Sequence, residues 1–446
     1  MPEFSARTVA TWQQAAVLLA GCVMLVCAVC LWPYVTTHVL VACMSAGFLV
    51  SLGFRTALAV IGRSRNRTAF AAPAYDAAMP VYTVLLPLYR EAAMLPQLTC
   101  ALSALDYPRD RLDIKFVVEE DDTETIAAAK KLVCDLPAEI VVVPQSLPRT
   151  KPKACNYALH FARGNYVVVY DAEDRPEPDQ LRKAVVAFRG SPGAACFQAR
   201  LTIDNERWSW LARMFALDYD LWFKMLLPGL AKLQVPIPLG GTSNHFRTPV
   251  LRAVGAWDPF NVTEDADLGI RLARLNYGVA MLDSTTFEEA PLRYGTWLRQ
   301  RTRWMKGYMQ TMLVHTRQPA RLVDSVGVRG VAAIQLFLGG AIWSALVNPV
   351  LWLIFAVSCV GTQTGMHEQF MESLALISGI SLLMCNVVLA VLSRIGTRKA
   401  MASVPFALGY LLYWFLVSVA AYRALWQLVF NPFHWEKTPH GDALDG

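Results

Sequence analysis

Five uncharged apolar runs limit the fold of this chain more than any other feature. They comprise residues 15–32, 39–54, 330–366, 373–393 and 400–422. Apolar runs of roughly 18 residues are long enough to cross a bilayer. Hydrophobic residues make up 55% of the 446 residues, which is more than in an ordinary soluble protein. We therefore predict an integral membrane protein.

The basic residues around the first two runs predict the orientation in the membrane. The segment between these runs carries no Lys or Arg, whereas Arg55, Arg63, Arg65 and Arg67 follow the second run. Because positive residues stay on the cytoplasmic side, the long polar middle of the chain is predicted to face the cytosol. The first run has no clear cleavage site and a second run follows closely, so we interpret it as a span rather than a signal peptide.

Charge and cysteine content exclude two further classes of protein. The formal net charge of +6 is modest and suits membrane flanks and phosphate binding, so no nucleic-acid partner is expected. The ten cysteines show no metal-ligand spacing, and several would face a reducing cytosol. Neither a disulfide framework nor a zinc site is therefore predicted.

The polar middle of the chain alternates between strand and helix patterns. Strands are predicted at the start of "YTVLLPLYREAAMLPQL", before Glu119, in "AEIVVVPQS" and before Asp171. This alternation predicts an α/β domain with a mostly parallel sheet that is covered on both faces. Ligands of such sheets bind beyond the carboxyl ends of the strands, and the acidic clusters of this chain lie at that edge.

Three carboxylates follow the strand that ends in "VVVY". Asp171, Glu173 and Asp174 would repel one another, and each would raise the pKa of its neighbours. A divalent cation, completed by substrate phosphates, would relieve this repulsion. A solvated loop with helix-capping acids explains the same pattern.

Two more charged stretches are predicted near this edge. In "VVEEDDTET", one of the four consecutive acids could accept hydrogen bonds from a nucleobase or ribose, or the acids could simply favour a helix N-terminus. In "LPRTKPKA", Arg149, Lys151 and Lys153 precede a helix, where they suit a diphosphate. A generic basic loop would have the same composition.

The segment "FNVTEDADLGIRLARL" predicts an amphipathic helix. Thr263 is expected at its N-cap, with Glu264 and Asp265 in its first turn. Capping alone explains these acids as well as catalysis does. In catalysis, a carboxylate fixed at this position would take a proton from an attacking hydroxyl.

The most unusual stretch is "YGTWLRQRTRWMKGYMQ". Its arginines and tryptophans suit either a belt at the membrane surface or a helix that binds an anion and a flat ring. Offsets of three and four put Gln300, Arg303 and Trp304 on one helix face, which favours catalysis for these residues. The belt interpretation is kept for Arg299, Arg301 and Lys306.

Four short motifs resemble those of a known family. "PLYRE", "DAED", "TED" and "QRTRW", in this order between apolar runs, look like the motifs of membrane-integrated family-2 glycosyltransferases, which include the cellulose and hyaluronan synthases. The resemblance covers residues 82–310 and the flanking runs. It implies a GT-A-like, Rossmann-like α/β domain between transmembrane helices. The expected division is two spans in 1–61, a cytosolic domain ending in the QxxRW helix in 62–325, further spans in 326–430 and a cytosolic tail in 431–446.

The resemblance also implies roles for single residues. Asp265 would be the general base, with Glu264 beside it, and the QxxRW motif would consist of Gln300, Arg303 and Trp304. The metal, Mg²⁺ or Mn²⁺, would be held by Asp171, Glu173 and Asp174. Donor-binding residues would be Pro87, Glu91, Glu120 or Asp122, Lys153 and Asp171. Acceptor-binding residues would be Gly241, Thr242 and Trp304.

The C-terminal segment "FHWEKTPHG" resembles the gating loop of the cellulose synthases, which closes over the nucleotide. Trp435, Thr438 and His440 would then act at the donor, although His440 stands where that family has lysine. A disordered tail is the alternative. A cytosolic gating loop also requires an even number of spans after the domain, whereas three apolar runs follow it. A break at Asn348-Pro349 or an interfacial segment "RALWQLVF" would restore an even number.

The activity implied is that of an inverting hexosyltransferase. The donor would be a nucleoside-diphosphate sugar, expected to be UDP-linked, and the acceptor a growing β-linked polysaccharide. Two alternatives stay open: single-step transfer to a lipid acceptor, and a non-catalytic receptor or transporter with the same fold. The expected location is the bacterial inner membrane, with membrane lipid and accessory export subunits as further partners.

Overall fold

The computed structural model describes residues 2–63, 79–132, 137–363, 368–396 and 404–436. These residues form one α/β domain with long apolar helices before and after it in the chain. The helices before the domain are α1 (Trp12–Leu31) and α2 (Pro33–Arg63). Those after it are α12 (Pro319–Ile334), α13 (Gly340–Gln363), α14 (Glu368–Gly396) and α15 (Val404–Phe430).

Strands and helices alternate through the domain, as the sequence pattern predicts. The strands are β1 (Tyr82–Leu88), β2 (Leu112–Glu119), β3 (Ala138–Val143), β4 (Tyr166–Val169), β5 (Arg175–Pro176), β6 (Ala194–Ile203), β7 (Asn244–Arg247) and β8 (Gly278–Glu288). The helices are α3 (Leu95–Ser103), α4 (Thr123–Leu132), α5 (Lys151–Leu159), α6 (Gln180–Gly190), α7 (Trp210–Leu221), α8 (Leu227–Leu233), α9 (Thr248–Ala253), α10 (Glu264–Arg274) and α11 (Tyr294–His315).

All eight strands belong to one sheet, in the order β3-β2-β1-β4-β7-β6-β8-β5. The pairings β1–β2, β1–β4, β2–β3 and β6–β8 are parallel. The pairings β4–β7, β5–β8 and β6–β7 are antiparallel. The predicted α/β class, with a mostly parallel sheet of the GT-A kind, is confirmed. The short strand β7 is the element that introduces antiparallel pairing into the middle of the sheet.

The central strands are buried on both faces. Val84 and Leu86 of β1 pack with one apolar cluster, whereas Leu85 between them packs with a second cluster on the opposite face. Two buried faces explain why these strands are continuous apolar runs. Burial of one such side chain contributes about 1.5–3 kcal/mol, so the sheet is a firm support for the residues that follow its strands.

Five helical stretches of the described chain are long and apolar enough to cross a membrane, as predicted. They are Trp12–Leu31, Pro33–Arg63, Pro319–Gln363, Glu368–Cys385 and Gly409–Phe430. The structure adds two details about these helices. Helix α2 continues through Arg55 to Arg63, so Arg55 lies within the helix and does not flank it. Helix α13 continues through Pro349, so the chain does not break there.

The last three long helices differ in their contacts. Helix α13 packs against α2 and α14, and Ser373 near the start of α14 lies 2.5 Å from His38 near the start of α2. Helix α15 packs against α13 and also along α11. In the contact with α11, Tyr413 lies against Trp297 with ring centroids 5.4 Å apart, and Lys306 donates a hydrogen bond to Gln427. The two ends of α15 therefore lie near the α/β domain.

Candidate active site

A cavity of about 450 Å³ lies where the carboxyl edge of the sheet meets α11 and the long helices. Residues that follow β1, β2, β4 and β8 line one end of it, and the start of α10 lines its side. Residues of α2, α7, α13 and α15 line the opposite end. The cavity thus joins the predicted ligand edge of the sheet to the apolar helices.

Acidic side chains converge at the sheet end of the cavity. Asp171 and Glu173 line it, whereas Asp174 is buried below them. Asp174 accepts hydrogen bonds from the backbone N–H of Asp171 at 2.7 Å and from the hydroxyl of Thr242. Burial, together with the charges of Asp171 and Glu173, raises the pKa of Asp174 well above its ordinary value. The repulsion that the sequence predicts is therefore present.

Glu288 adds a fourth carboxyl group to this cluster. It is the last residue of β8 and lines the cavity. Burial raises its pKa well above the usual range, and the charges of Asp174 and Glu173 act in the same direction. This residue is not among those predicted from the sequence. Asp171 was predicted because an acid directly after a strand lies at the ligand edge of the sheet. The same rule applies to the acids in "TTFEE".

The oxygen atoms of this cluster fit a hard divalent cation when a substrate supplies further ligands. Among the described residues, no group of three or more His, Cys, Asp or Glu side chains could hold a metal ion alone. Mg²⁺ typically binds one or two carboxylates and completes its shell with water and phosphate oxygens. Asp171 and Glu173 line the cavity, and Asp174 Oδ1 is buried without a hydrogen-bond partner in the described structure.

Two cationic side chains lie near these acids in the cavity. Lys151 Nζ lies 2.6 Å from Asp171 Oδ1 and donates a hydrogen bond to the carbonyl of Gly241 at 2.7 Å. Attraction by Asp171, Asp265 and Glu264 raises the pKa of Lys151 although burial opposes this shift. Arg303 also experiences the field of Glu264 and Asp171. Positive and negative groups thus alternate at this end, as a metal-diphosphate ligand requires.

Asp265 lies in the first turn of α10 and lines the cavity beside Glu264. The indole N–H of Trp257 donates a hydrogen bond of 3.0 Å to Asp265 Oδ1. Burial raises the pKa of Asp265 to about 6, while Lys151 and this hydrogen bond oppose the shift. Burial, with the charge of Asp265, raises the pKa of Glu264 to about 8. Perturbed pairs of this kind are typical of acid–base sites.

Close packing fixes the start of α10 against α11. A side chain at Gly307 would place its Cβ 2.2 Å from Thr263 Oγ1, so only glycine permits this approach. The backbone N–H of Val262 donates to Gln310 Oε1 at 3.1 Å, and Asn261 donates to Thr311 Oγ1 at 3.0 Å. These contacts hold the "TED" and "QRTRW" motifs in one fixed arrangement.

Helix α11 brings the predicted QxxRW residues together. Gln300, Arg303 and Trp304 all line the cavity. Gln300 Oε1 is buried without a hydrogen-bond partner in the described structure, so it can accept a hydrogen bond from a ligand. Their catalytic roles stay predictions.

The surface-belt interpretation is wrong for Arg301 and Lys306. Arg301 is only 11% exposed, forms an ion pair with Asp218 at 2.7 Å, and lies over the ring of Trp304 at 4.7 Å. Lys306 is fully buried and donates hydrogen bonds to Gln427 and to the carbonyl of His434. Burial lowers the pKa of Lys306 to about 8. The error arose because α15 covers a helix face that the sequence alone leaves open.

The predicted donor-binding residues fall into two groups. Pro87, Glu91 and Asp171 line the cavity, and so do Arg149 and Lys151. The cavity lining does not include Glu120, Asp122 or Lys153. Asp122 caps the start of α4 by accepting a hydrogen bond from the backbone N–H of Thr125, and Lys153 pairs with Glu119 at 2.8 Å. Glu119 itself lines the cavity.

The predicted acceptor-binding residues Gly241 and Thr242 line the cavity with Trp304. The hydroxyl of Thr242 lies within hydrogen-bond distance of the Asp174 carboxyl group and of the Val169 carbonyl, the latter at 3.1 Å. This pair of contacts ties the "GGTS" loop to the acidic strand end. The loop is thereby placed where an acceptor could meet the donor.

The segment after α15 reaches the same cavity. Trp435 lines it, and the guanidinium of Arg303 lies over the Trp435 ring at 4.7 Å. Glu436 forms a double contact with Arg423, with the Nη2–Oε1 distance at 2.5 Å. Thr438 and His440, predicted to contact the donor, lie outside the described residues.

The cavity also contains polar residues that the sequence analysis did not connect with a site. Arg55, Asp218 and Tyr413 line its end between the long helices. In the sequence, Arg55 supported only the predicted orientation of the chain in the membrane. A charged residue inside an apolar helix is itself a signal of function, and this signal could have identified Arg55.

The chain matches two related sequence families. Residues 166–430 match the family described as "Glycosyl transferase family group 2". Residues 83–248 match "Glycosyl transferase family 2". The first match alone spans more than half of the chain and includes the "DAED", "TED" and "QRTRW" motifs.

Curated relatives are glycosyltransferases of several kinds. "Probable glycosyltransferase YdaM" of Bacillus subtilis is 26% identical over 238 residues, which are 53% of this chain and 57% of that protein. The β-monoglucosyldiacylglycerol synthase of Synechocystis is 26% identical over 312 residues, 65% of this chain and 64% of that protein. Glucomannan 4-β-mannosyltransferase 2 of Arabidopsis thaliana is 25% identical over 237 residues, 51% of this chain and 44% of that protein. The chain thus spans roughly half of the length of such relatives.

A solved structure shares the fold. The mannosyltransferase PcManGT from Pyrobaculum calidifontis, in complex with GDP-Man and Mn²⁺, superposes with a TM-score of 0.56 at 17% identity. The match covers 88% of this chain and 99% of that chain. The similarity extends beyond the sheet to most of the described molecule.

Proposed function

The chain belongs to glycosyl transferase family group 2, and on that premise we propose that it is a hexosyltransferase, which moves a sugar from a nucleoside-diphosphate donor to an acceptor hydroxyl at the membrane, with inversion. One observation carries this proposal. A single cavity is lined by the acidic strand end at Asp171, the carboxyl group of Asp265 and the QxxRW residues Arg303 and Trp304. A donor diphosphate, an acceptor and a base can therefore meet in one place.

The acidic end of the cavity would receive the donor diphosphate. Mg²⁺ or Mn²⁺, when bound there at Asp171 and Glu173, would neutralise negative charge on the departing nucleoside diphosphate. Lys151 and Arg303 face the same acids and would bind phosphate oxygens directly. Arg303 suits this role because its planar fork can hold two oxygens at once.

Asp265 would act as the general base. It would take the proton of the acceptor hydroxyl as the hydroxyl oxygen bonds to the anomeric carbon and the bond from that carbon to the donor phosphate oxygen breaks. Such a single displacement inverts the anomeric configuration. A pKa of about 6 suits the role, because the group is ionised at neutral pH yet more basic than an ordinary carboxylate. The hydrogen bond from Trp257 orients it.

The acceptor would lie against Trp304. Its ring lines the cavity between the QxxRW helix and the apolar helices, and an aromatic face can stack on a sugar ring. Gln300 would hydrogen-bond a hydroxyl through its unpartnered Oε1. Gly241 and Thr242 would border the acceptor on the sheet side.

Purified full-length protein in lipid nanodiscs, incubated with a panel of radiolabelled nucleotide sugars, tests the proposal. We expect hydrolysis or transfer for at least one donor, loss of turnover after chelation, and recovery with Mg²⁺ or Mn²⁺. Asp171→Asn should abolish turnover without changing thermal stability in detergent. Asp283→Asn is the matched control, because Asp283 is exposed and pairs with Arg200 outside the cavity.

The products identify the acceptor class. A ladder of lengths would indicate a polysaccharide, and a single organic-soluble product would indicate a lipid. Turnover of every donor at background level, with metal present, would refute the proposed function.

A further inference from the structure

A second cationic group occupies the end of the cavity that lies between the long helices. It consists of Arg55 of α2 and Arg301 of α11, with Asp218 of α7 and Tyr413 of α15 beside them. Arg301 forms the ion pair with Asp218 and donates a hydrogen bond of 2.7 Å to the hydroxyl of Tyr413. This group is distinct from Lys151 and Arg303, which face the acidic strand end.

The positive charge of this group exceeds its negative charge. Asp218 is engaged by Arg301, and the structure records no ion pair to Asp218 from Arg55 among the described residues. Arg55 is 8% exposed, and its Nε has no hydrogen-bond partner in the described chain. Asp218 attracts Arg55 but is already paired with Arg301, so the two buried guanidinium groups share this carboxylate, which is costly. The arrangement is therefore complementary to an anion that enters the cavity.

The surroundings of Arg55 point to a lipid as the source of this anion. Arg55 lies within α2, a helix long and apolar enough to cross a membrane. Charged residues inside such helices mark ligand sites. The cavity that Arg55 lines is also lined by Ala341 of α13 and by Trp414 and Val417 of α15, which suit hydrocarbon rather than water.

The position of Trp304 connects this group to the reaction. The Arg301 guanidinium lies 4.7 Å from the centroid of the Trp304 ring, and the same cavity continues past Trp304 to Asp265. If a head-group phosphate binds at Arg55 and Arg301, the rest of the head group would extend from the phosphate across Trp304. A hydroxyl on that part could then reach the base.

We propose that the acceptor is a membrane lipid whose head group carries a phosphate bound between Arg55 and Arg301, with the reacting hydroxyl beyond that phosphate. This inference rests on the proposed function, because it assigns the acceptor of the same site. The phosphate group is common to such a lipid and to free phosphate, so free phosphate is the competing ligand.

The binding of farnesyl phosphate, farnesol and inorganic phosphate to full-length protein in nanodiscs tests the inference. Trp222, Trp304 and Trp414 line the cavity, so quenching of tryptophan fluorescence reports occupancy. We expect farnesyl phosphate to bind at least about tenfold more tightly than farnesol, since hydrogen bonds to charged groups contribute that much. Arg55→Gln should abolish this preference, and Arg55→Lys should keep part of it.

Arg299→Gln is the matched control. Arg299 lies on the same helix as Arg301, is absent from the cavity lining and, within the described part of the chain, donates a hydrogen bond only to Thr296, at 3.3 Å, so the preference should persist. Equal affinity for farnesol and farnesyl phosphate, or a preference that survives Arg55→Gln, would overturn the inference. Full competition by inorganic phosphate at equal concentration would overturn the lipid assignment.

Donor turnover by the wild-type protein distinguishes a failure of this inference from a failure of the proposed function. A protein that turns over a donor but shows no preference for farnesyl phosphate refutes only this inference. A protein that turns over no donor refutes the proposed function, whatever it binds at Arg55.

Discussion

The carboxyl group of Asp265 predicts a pH dependence at the scale of one residue. Its pKa is raised to about 6 by burial, so the ionised form that can accept a proton predominates above pH 6. We expect kcat/KM to rise with pH through this region and to fall roughly tenfold per pH unit below it. Asp265→Asn should remove this limb and lower kcat by roughly 10²–10⁴-fold, with little change in donor affinity.

Glu177→Gln is the control for this profile. Glu177 lies outside the cavity, and hydrogen bonds from Lys183 and Ser284 hold its pKa below the usual value although burial opposes them. The acid limb should therefore stay in place. A limb that persists in Asp265→Asn would assign the titration to another group, and a collapse of donor affinity with kcat intact would make Asp265 a binding residue.

Arg301 gives a second prediction at this scale. Its guanidinium forms an ion pair with Asp218, donates a hydrogen bond to the hydroxyl of Tyr413 and lies over the ring of Trp304. Lysine keeps the charge but has neither the planar fork nor the flat stacking surface. We expect Arg301→Lys to lower the free energy of unfolding by about 1–3 kcal/mol, measured as a loss of thermal stability in detergent.

Arg299→Lys is the comparison, because Arg299 is partly exposed and makes a single contact with Thr296. Its effect should stay within about 0.5 kcal/mol, as for most surface substitutions. If both variants lose stability equally, the contacts of Arg301 do not stabilise the fold.

Single residues were predictable where the adjacent sequence determines their position. Asp171 follows a buried strand, so its place at the sheet edge could be predicted from "VVVYD". Arg301 could not be placed in this way, because its partner Tyr413 lies 112 residues later in the chain. The offset rule showed which residues share a face of α11, but it could not show that α15 covers the face of Arg301 and Lys306.

At the scale of elements, α11 organises the site through two packed faces. One face receives the start of α10 at Gly307, and the other receives α15 through Arg301 and Lys306. Parallel strands and the helices between them were predictable from local periodicity. The antiparallel strand β7 was not, because its partner strands β4 and β6 supply the pairing that its own four residues do not specify.

The segment after α15 supplies the element-scale prediction. Glu436 forms its double contact with Arg423, and the adjacent Trp435 lies under the guanidinium of Arg303. Glu436→Gln weakens this contact, which is charge-assisted but partly exposed. We expect a several-fold higher KM for the donor and faster proteolysis after Phe430, both measured on protein in nanodiscs.

Glu124→Gln is the matched control, because Glu124 lies in the first turn of α4, outside the cavity lining. It should change neither quantity. A Glu436→Gln protein with wild-type KM and wild-type proteolysis would show that this pair does not hold the segment at the cavity.

At the scale of the whole molecule, the contacts of α15 bear on how many helices after the domain cross the membrane. Helix α14 starts near His38 at the start of α2 and returns to α7 of the domain. Near the start of α15, a side chain at Gly409 would meet the Trp210 indole at 2.7 Å. After its end, the carbonyl of Pro432 accepts a hydrogen bond from Gln310. Both ends of α15 thus adjoin the domain.

We therefore predict that α13 and α14 cross the membrane and that α15 lies along its cytosolic face. Residues 394–399 carry three basic residues, which favour the cytosolic side for the end of α14. A green fluorescent protein fused after Gly396 or after Gly446 should fluoresce, and alkaline phosphatase at either position should be inactive. Alkaline phosphatase fused after Gln363, the end of α13, should be active. Opposite signals from the fusions after Gly396 and Gly446 would mean that α15 crosses the membrane, which would separate Trp435 from the side on which we propose that Arg303 binds the donor.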